Sequence, residues 1–350
     1  MSFQGWKRTL VRTKDGEPAE ASAPMIVSAS RATDIPAFYA PWFMERLNAG
    51  YVRWVNPFNP GQLSVVSFEH TRAIVFWSKN PRPLIPFLRE IDTRGIGYYF
   101  HFTLNHFEPE GLEPGLPPLA ERVATFRRLA DLVGPQRVIW RIDPLMLTGT
   151  LTVEVLLRRI AKLASMLRAC TEKLVFSFAD IERYRKVGRR LDRHGCGARE
   201  FSVAEMISFA AQLRELNREW GFSLGSCAEA LDFEGIDHNR CIDGELLGRL
   251  FGSDRELSGF LRPGGPEMFS GLPVWDKIRD RGQRRECGCI VSKDIGAYGS
   301  CPHLCRYCYA NGSDAAVMNL FSRHDPKSDS LAPGLSGRGG AARPGVVGQP

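Results

Sequence analysis

The sequence predicts an α/β protein organised as a β/α (TIM-like) barrel, and three observations support this fold class. Short apolar runs with strand character alternate with amphipathic stretches of helical spacing, which is typical of a parallel sheet with helices outside. Eight such apolar runs can be counted along the chain, the number found in a closed β/α barrel. The runs also end in polar residues, as barrel strands do at the mouth where their carboxyl ends converge.

Length and composition agree with a globular domain of this size. The chain has 350 residues, of which 43% are hydrophobic and 24% charged, and this is ordinary for a soluble protein with a sizeable core. No apolar run approaches the roughly 20 residues that span a bilayer. Residues 1–7 also lack the pattern of a secretory signal. We therefore expect a cytoplasmic protein without membrane association.

The chain divides into three parts. Residues 1–24 form a polar extension, in which Lys14–Pro18 predicts a turn and at most a short hairpin. The repeated units occupy residues 25–320, interrupted by the Gly/Pro-rich stretch Gly252–Asp280, which predicts a long loop. Residues 321–350 are rich in Gly, Pro, Ser and Arg and predict a disordered tail.

Periodicity predicts the individual elements of the repeated units. The strand candidates are Met25–Ser30, Tyr51–Asn56, Ala73–Ser78, Gly97–Leu104, Arg137–Ile142, Lys173–Phe178, Phe222–Ser226 and Gly288–Ser292. The helix candidates are Ala37–Asn48, Pro83–Ile91, Pro118–Leu132, Val153–Ala169, Val203–Trp220 and Gly244–Leu250. We expect the strands to be parallel, because a helix between two strands returns the chain to the same end of the sheet.

Polar residues at the strand ends are candidates for function, because the ends of barrel strands meet around one mouth. The candidate catalytic residues at these ends are Lys79, Arg141, Asp143 and Glu229, and Asn105 is a candidate for ligand binding. Asn and Asp also form turns and cap helices, so they have a purely structural interpretation as well. Arg141 with Asp143 could be an internal ion pair, and Glu229 could be a general base, an orienting group or a cap.

A cluster of cysteines near the C-terminus is the most specific feature of the sequence. Cys301, Cys305 and Cys308 follow a C-x3-C-x2-C spacing, with Tyr307 directly before the third cysteine. Three thiolates this close can hold a [4Fe–4S] cluster, and three ligands for four irons leave one iron open to a small molecule. A zinc site with His303 as the fourth ligand is the chemical alternative, although structural zinc usually takes two separated pairs of ligands.

This motif, including the aromatic residue before the third cysteine, resembles the signature of the radical S-adenosylmethionine (SAM) superfamily. The resemblance implies that Cys301, Cys305 and Cys308 bind a [4Fe–4S] cluster whose open iron is chelated by SAM. It further implies that an electron from the cluster cleaves SAM to a 5′-deoxyadenosyl radical, and that a donor such as flavodoxin or ferredoxin supplies that electron. A full or partial β/α barrel is also implied.

The position of the motif differs from that superfamily, in which the motif normally follows the first strand and not the last. Because the first and last strands of a closed barrel are neighbours, a circularly shifted barrel would preserve the geometry. Ser30, Arg31 and Asp34, after the first strand, would then take the place of the superfamily's Gly-Gly-Glu-like SAM-binding segment. With Asn105 they are the candidate cofactor-binding residues.

From about Met25 to Ala310 the chain also resembles a bacterial family catalogued as domain of unknown function 1848. The segments that carry this resemblance are Ser28–Pro36, Trp77–Pro81, Trp140–Pro144 and the C-terminal cysteine segment. That family has a radical-SAM-like cysteine cluster and no established reaction. The resemblance therefore implies a class of chemistry and not a substrate.

Further cysteines lie near the predicted mouth and could hold a second iron–sulfur cluster or a zinc ion. They are Cys227, Cys241, Cys287 and Cys289. Cysteines are equally common as small buried hydrophobic residues. Alternate residues of a strand share a face, so Cys287 and Cys289 point the same way, whereas Cys227 need not reach them. Cys170 and Cys196 have the setting of ordinary thiols.

The net charge of +7 allows a nucleic-acid partner but is also that of an ordinary basic surface. The basic segment Arg183–Arg199 could bind phosphates or form the solvated face of an outer helix, which is the interpretation we prefer. The alternative function is therefore a metal-stabilised nucleic-acid-binding protein, or an electron-transfer protein, without SAM chemistry.

Overall fold

The computed structural model describes residues 3–57, 59–262 and 277–331. Within them the chain forms two sheets, one of four strands and one of eight. The strands are β1 (Lys7–Arg12), β2 (Pro18–Ala23), β3 (Ile26–Ala29), β4 (Tyr51–Asn56), β5 (Asn59–Ser67), β6 (Ala73–Ser78), β7 (Gly97–Thr103), β8 (Val138–Leu145), β9 (Lys173–Phe178), β10 (Ser223–Ser226), β11 (Asp237–His238) and β12 (Lys293–Asp294).

Helices connect most strands of the large sheet. They are α1 (Ile35–Phe38), α2 (Ala40–Ala49), α3 (Leu88–Thr93), α4 (Leu119–Val133), α5 (Val153–Leu167), α6 (Arg185–His194), α7 (Val203–Trp220), α8 (Gly244–Phe251), α9 (Arg255–Leu261) and α10 (Asp314–Ser322). Among the described residues, no helix combines the length and the apolar character that crossing a bilayer requires.

All strands of the large sheet are parallel, in the order β11-β10-β9-β8-β7-β6-β3-β12. The last strand lies beside the first, with Lys293 opposite Val27 and Asp294 opposite Ser28. Both faces of the sheet are covered, so its strands are continuously apolar. Tyr99 and Phe100 in β7, for example, are both fully buried. The predicted α/β class with a parallel sheet is thus confirmed.

The predicted closure into a TIM-like barrel is not observed among the described residues. The edge strands β11 and β12 have two residues each, too few to continue a ladder between them. The chain after β11 and the chain before β12 meet in a hydrogen bond from Ile290 N to Ile242 O, 3.1 Å long. The N–H groups of Cys241 and Ile242 donate to the Cys289 sulfur. Because these donors are engaged by sulfur, they are not available for strand pairing.

Two of the strand predictions need correction. Tyr51–Asn56 is a strand, β4, but it pairs with the unpredicted β5 in the small sheet. Gly288–Ser292 is not a strand, and β12 begins only at Lys293. The physical reason is that Ile290 N and Val291 N donate to the loop carbonyls of Ile242 and Ile278 and not to a neighbouring strand.

The N-terminal extension forms the predicted hairpin, β1 and β2, and this hairpin belongs to the small sheet. Its turn places Gly16 at a φ of +83°, a conformation that glycine adopts without steric cost. β2 pairs in parallel with β5, and β5 pairs antiparallel with β4, which gives the order β1-β2-β5-β4.

Local signals explain why the long helices lie where the sequence predicts them. α7 begins with a capping box between Ser202 and Glu205, and it ends at Gly221, whose φ is +75°. α5 begins at the cap residue Thr152 and buries an apolar stripe that includes Leu156, Ile160 and Leu163.

The C-terminal part of the described chain packs against the domain. Trp42 Nε1 donates to Ser328 O, and Arg53 N donates to Asp329 O. Leu331 is 3% exposed. The predicted disordered tail therefore does not begin at residue 321, and residues 332–350 of it lie outside the described residues. Of the predicted loop Gly252–Asp280, residues 255–261 are α9, and residues 263–276 also lie outside them.

Candidate metal centre

A cavity of about 370 Å³ lies at the carboxyl ends of the large sheet, as the polar strand ends predict. Residues that follow β3, β6 and β10 line it together with residues from the ends of β7, β8 and β9. Seven cysteines face this one cavity: Cys227, Cys241, Cys287, Cys289, Cys301, Cys305 and Cys308. Cys170 and Cys196 are not among its lining residues, as expected for ordinary thiols.

The segment 301–308, hereafter the cysteine loop, has no regular secondary structure and is held by side chains from other elements. Asp34, the N-cap of α1, accepts hydrogen bonds from Ser78 Oγ and Lys79 N at 2.7 Å each. Its Oδ2 also lies 2.7 Å from Nε2 of the buried His303. His303 Nδ1 in turn lies 3.4 Å from Gly115 O. Both ring nitrogens of His303 thus face protein oxygens.

Arg190 of α6 holds the other end of the cysteine loop. Its guanidinium donates to Cys308 O at 2.9 Å, to Asn311 O at 2.6 Å and to Gly312 O at 2.8 Å. Asn311 Nδ2 then donates to Cys301 O at 2.8 Å. One buried guanidinium therefore organises several carbonyls of this segment.

The loop between β7 and α4 also contacts the cysteine loop closely. Gly115 N donates to His303 O at 3.0 Å. A Cβ atom at position 115 would collide with the Pro302 carbonyl and the His303 backbone. Glycine is required here because two backbones approach each other directly.

A buried polar cluster lies behind Cys305. Lys79 Nζ is 2.9 Å from Glu113 Oε1 and 2.9 Å from the Tyr307 hydroxyl, which also donates to Glu113. Burial would raise the pKa of Glu113, but the nearby charges of Lys79 and Arg122 lower it below its usual value. Burial would lower the pKa of Lys79, and Glu113 reverses this and raises it. We conclude that both groups are charged in the folded protein.

Arg141 and Asp143 of β8 form the ion pair that the sequence allows. Arg141 Nη2 lies 2.6 Å from Asp143 Oδ2, while Ser177 Oγ donates to Asp143 Oδ1 at 2.5 Å. Arg141 Nη1 also donates to the sulfur of Cys241 at 3.0 Å. Both residues line the cavity, so the pair joins a strand end to one of the cysteines.

Four cysteines from three separate segments also line the cavity and contact one another: Cys227, Cys241, Cys287 and Cys289, hereafter the cysteine quartet. The sulfurs of Cys227 and Cys241 are 3.3 Å apart. The Cys289 thiol interacts with those of Cys241 and Cys287, and it accepts the N–H groups of Cys241 at 3.2 Å and Ile242 at 3.3 Å. The structure thus brings Cys227 within reach of the others.

Neither cysteine group converges on a single point. Among the described residues, no three His, Cys, Asp or Glu side chains are arranged to hold one metal ion. Burial raises the pKa of Cys301 to about 12 and raises those of Cys305 and Cys308 above the usual thiol range. In the quartet, contact with Cys241 and burial raise the pKa of Cys227, whereas contact with Cys289 lowers that of Cys287.

The family described as Domain of unknown function (DUF1848) matches residues 26–310 of the sequence. The chain belongs to the DUF1848 family. The matched region includes the whole large sheet, the cavity and the cysteine loop, and it leaves out β1, β2 and α10. No curated protein and no solved structure matches the chain.

The other candidate residues of this DUF1848 chain differ in their relation to the cavity. Ser30, Arg31, Asp34, Lys79, Arg141 and Asp143 line it. Glu229 lies behind the wall, where it accepts the Phe178 N–H at 2.8 Å, and burial raises its pKa to about 7. Asn105 is also behind the wall and donates to Glu113, Asp143 O and Tyr307. Both therefore support the cavity from outside it.

Arg31 differs from the other candidates because its charge is not paired within the site. Its backbone N–H donates to Asp294 Oδ2 at 2.9 Å, and its guanidinium lies over the Trp77 ring at 5.3 Å. The Nη2 atom is buried and has no hydrogen-bond partner among the described residues. Arg31 thus presents a positive charge to the cavity.

Sequence reasoning missed Glu113, Asp294 and Arg190. Glu113 lies in a Gly/Pro-rich loop, and an acidic residue there is unremarkable until its partners are known. Asp294 accepts from Ser28 Oγ and from Gly296 N and so ties β12 to β3. Arg190 is one of many basic residues in α6, and its burial distinguishes it from the exposed Arg189. No local signal in the sequence marks any of the three.

Proposed function

We propose that this DUF1848 protein is an iron–sulfur enzyme of radical-SAM type, with a [4Fe–4S] cluster held by Cys301, Cys305 and Cys308. The observation that carries the proposal is that all three cysteines, spaced C-x3-C-x2-C, line a cavity at the carboxyl ends of a parallel sheet. When bound, the cluster would supply one electron for the reductive cleavage of SAM, and flavodoxin or ferredoxin is the class of donor we propose.

The donor set fits a cluster better than a zinc ion. In a cubane cluster each thiolate binds a different iron, so three cysteines need not converge on one point, which agrees with the described arrangement. The predicted zinc alternative needs His303, whose ring nitrogens are already engaged by Asp34 and Gly115. A zinc ion there would have to displace a buried hydrogen bond.

The strand order supports a circularly shifted relative of the radical SAM barrel. β12 lies directly beside β3, so the cysteine loop after β12 and the segment Ser30–Asp34 after β3 are neighbours at one mouth. We propose Ser30 and Arg31 as residues that bind SAM, because both line the cavity and the Arg31 charge can attract the SAM carboxylate. Asp34 and Asn105 would position this site without touching SAM, since their polar atoms are used internally.

Charged residues that line the cavity are candidates to contact a substrate. Lys79 and Asp143 line the cavity as members of the pairs with Glu113 and Arg141. We propose that these ion pairs orient a substrate by hydrogen bonds, and that each pair keeps both of its members charged. Glu229 would act through Phe178 at the end of β9 and not on the substrate itself.

The test is anaerobic reconstitution of the full chain with iron and sulfide, followed by reduction in the presence of SAM. We expect 5′-deoxyadenosine from the wild type and none from Cys305→Ala. Cys170→Ala is the matched control, because that thiol lies outside the cavity, and it should behave as the wild type. A reconstituted wild type that forms no 5′-deoxyadenosine would contradict the proposal.

The basic surface favours nucleic-acid binding as a second candidate function. A groove of about 730 Å³ lies between α6 and the segment 306–315, lined by Lys186, Arg189, Arg193 and Arg306. Such a groove suits a phosphate backbone.

Salt-dependent binding of single-stranded RNA or DNA that is lost in Lys186→Glu/Arg189→Glu would support this function. Equal binding by both forms, or none at low salt, would exclude it.

A further inference from the structure

The cysteine quartet is a second group of thiols that lines the cavity. The cluster proposed at the cysteine loop does not use these thiols. Cys227 follows β10, Cys241 follows β11, and Cys287 and Cys289 precede β12. Their thiols nevertheless form a continuous row, since Cys227 contacts Cys241 and Cys289 contacts both Cys241 and Cys287. The Cys289 sulfur also joins the chain before β12 to the chain after β11, because it accepts the N–H groups of Cys241 and Ile242.

Groups that can stabilise anionic sulfur lie against two cysteines of the quartet. Backbone N–H groups of Cys241 and Ile242 point at the Cys289 sulfur, and the Arg141 guanidinium lies 3.0 Å from the Cys241 sulfur. Arg31 adds a second positive charge in the same cavity, with a buried nitrogen that has no partner among the described residues. Hydrogen bonds to sulfur and nearby cations stabilise anionic sulfur, and both are common around iron–sulfur clusters.

We infer that the cysteine quartet holds a second iron–sulfur cluster, separate from the one proposed at the cysteine loop. The inference does not rest on SAM chemistry, because its four cysteine ligands are not those of the cysteine loop. A single zinc ion is the alternative occupant, and the metal content of the quartet variant distinguishes the two. Simple burial of hydrophobic cysteines does not account for the Arg141 guanidinium at the Cys241 sulfur or for the two N–H groups at the Cys289 sulfur.

Complete ligation by four cysteines sets the chemical class of this second centre. Every iron of the cluster that takes a protein ligand would be bound by a cysteine thiolate. No iron is therefore left open for a substrate or for SAM. Such a centre stores or transfers an electron and does not activate a ligand. The cysteine loop has one cysteine fewer, so a cluster held there would keep one iron open to a ligand.

The experiment compares the metal content of three variants of the full chain, all purified and reconstituted without oxygen. The quartet variant replaces Cys227, Cys241, Cys287 and Cys289 by Ser, and the loop variant replaces Cys301, Cys305 and Cys308. The control variant is Cys170→Ser/Cys196→Ser. Iron, sulfide and zinc are counted, and Mössbauer spectra report the cluster type.

We expect about eight irons per chain in the wild type and the control, and about four in each of the other variants. If the loop variant loses no iron and the quartet variant loses all of it, the second cluster stands and the function proposed above fails. If the wild type holds about four irons and the quartet variant holds as many, the inference is overturned. Zinc that is lost from the quartet variant alone would overturn it too.

A second measurement covers the case in which the quartet variant does not fold. Cys289→Ser changes one atom in a cluster ligand, so the reduced protein should show an altered electron paramagnetic resonance signal for one of its two clusters. Cys196→Ser should leave both signals unchanged. A spectrum of Cys289→Ser identical to that of the wild type would contradict a cluster at the quartet.

Discussion

The cysteine loop and the cysteine quartet face one cavity but are held there in different ways. The loop has no helix or strand of its own, and it is fixed by side chains that reach its backbone and His303 from outside. In the quartet, Cys227 and Cys241 follow β10 and β11, while Cys287 and Cys289 precede β12. Its hydrogen bonds reach the sulfur atoms directly. The loop therefore depends on a few distant polar residues, whereas the quartet depends on the sheet itself.

This difference implies that single substitutions can release one cysteine group and leave the other in place. Alkylation of the metal-free protein, read by mass spectrometry for each cysteine, measures the two groups separately. A mutation in an anchor of the cysteine loop should expose Cys301, Cys305 and Cys308 and leave Cys241 and Cys289 protected. If both groups always become reactive together, the two groups are not held independently.

Asp34→Ala should have the largest effect, a loss of about 4 kcal/mol in the free energy of unfolding. It leaves the Ser78 hydroxyl, the Lys79 N–H group and His303 buried without their acceptor. Urea denaturation measures the loss, and alkylation of Cys301 should increase. Asp254→Ala is the control, because Asp254 caps α9 by a hydrogen bond from Leu257 N, and it should cost about 1 kcal/mol.

Glu113→Gln should cost about 3 kcal/mol, because it removes the counter-charge of the buried Lys79 and one of the two carboxylates beside the buried Arg122. Urea denaturation should show this loss, together with faster alkylation of Cys305. The control is Glu121→Gln, which removes an exposed partner of Arg82 and should change the stability by less than about 1 kcal/mol. Equal effects of the two substitutions would mean that the buried cluster does not anchor the loop.

Arg190→Lys should cost about 2 kcal/mol and act mainly on one end of the cysteine loop. A lysine ammonium cannot reach the separate carbonyls of Cys308, Asn311 and Gly312 that the guanidinium bridges. Cys308 should therefore alkylate faster while Cys289 is unaffected. Arg189→Lys, on the exposed side of the same helix, should leave both rates unchanged.

Lys293→Met should have the smallest effect, a gain of about 1 kcal/mol at neutral pH. Lys293 lies in β12, between the two cysteine groups in sequence, with its ammonium 3.3 Å from the centre of the Trp54 ring. Burial lowers its pKa to about 8, so between pH 8 and about 10 the unfolded chain binds more protons than the folded protein. Wild-type stability should rise with pH across this window, and the Met variant should lack that rise.

Much of the fold follows from short-range patterns in the sequence. The predicted helix Val203–Trp220 coincides with α7 because its start and stop signals, Ser202 with Glu205 and then Gly221, are local. The predicted strands Ala73–Ser78 and Lys173–Phe178 coincide with β6 and β9 for a similar reason, since each is a short apolar run between turn residues. Whether the edges of a sheet are open or closed has no such local signal, and closure is the part of the barrel prediction that is not observed among the described residues.

The candidate site divides in the same way. The cysteine loop could be recognised from sequence alone, because its three cysteines are close in the chain and any fold must keep them close in space. The quartet, Glu113 and Arg190 were decided by tertiary structure, since contacts that fix them join residues 14, 194 and 118 positions apart, respectively. Contacts over such separations depend on which strands become neighbours, and no periodicity or spacing along the chain encodes that directly.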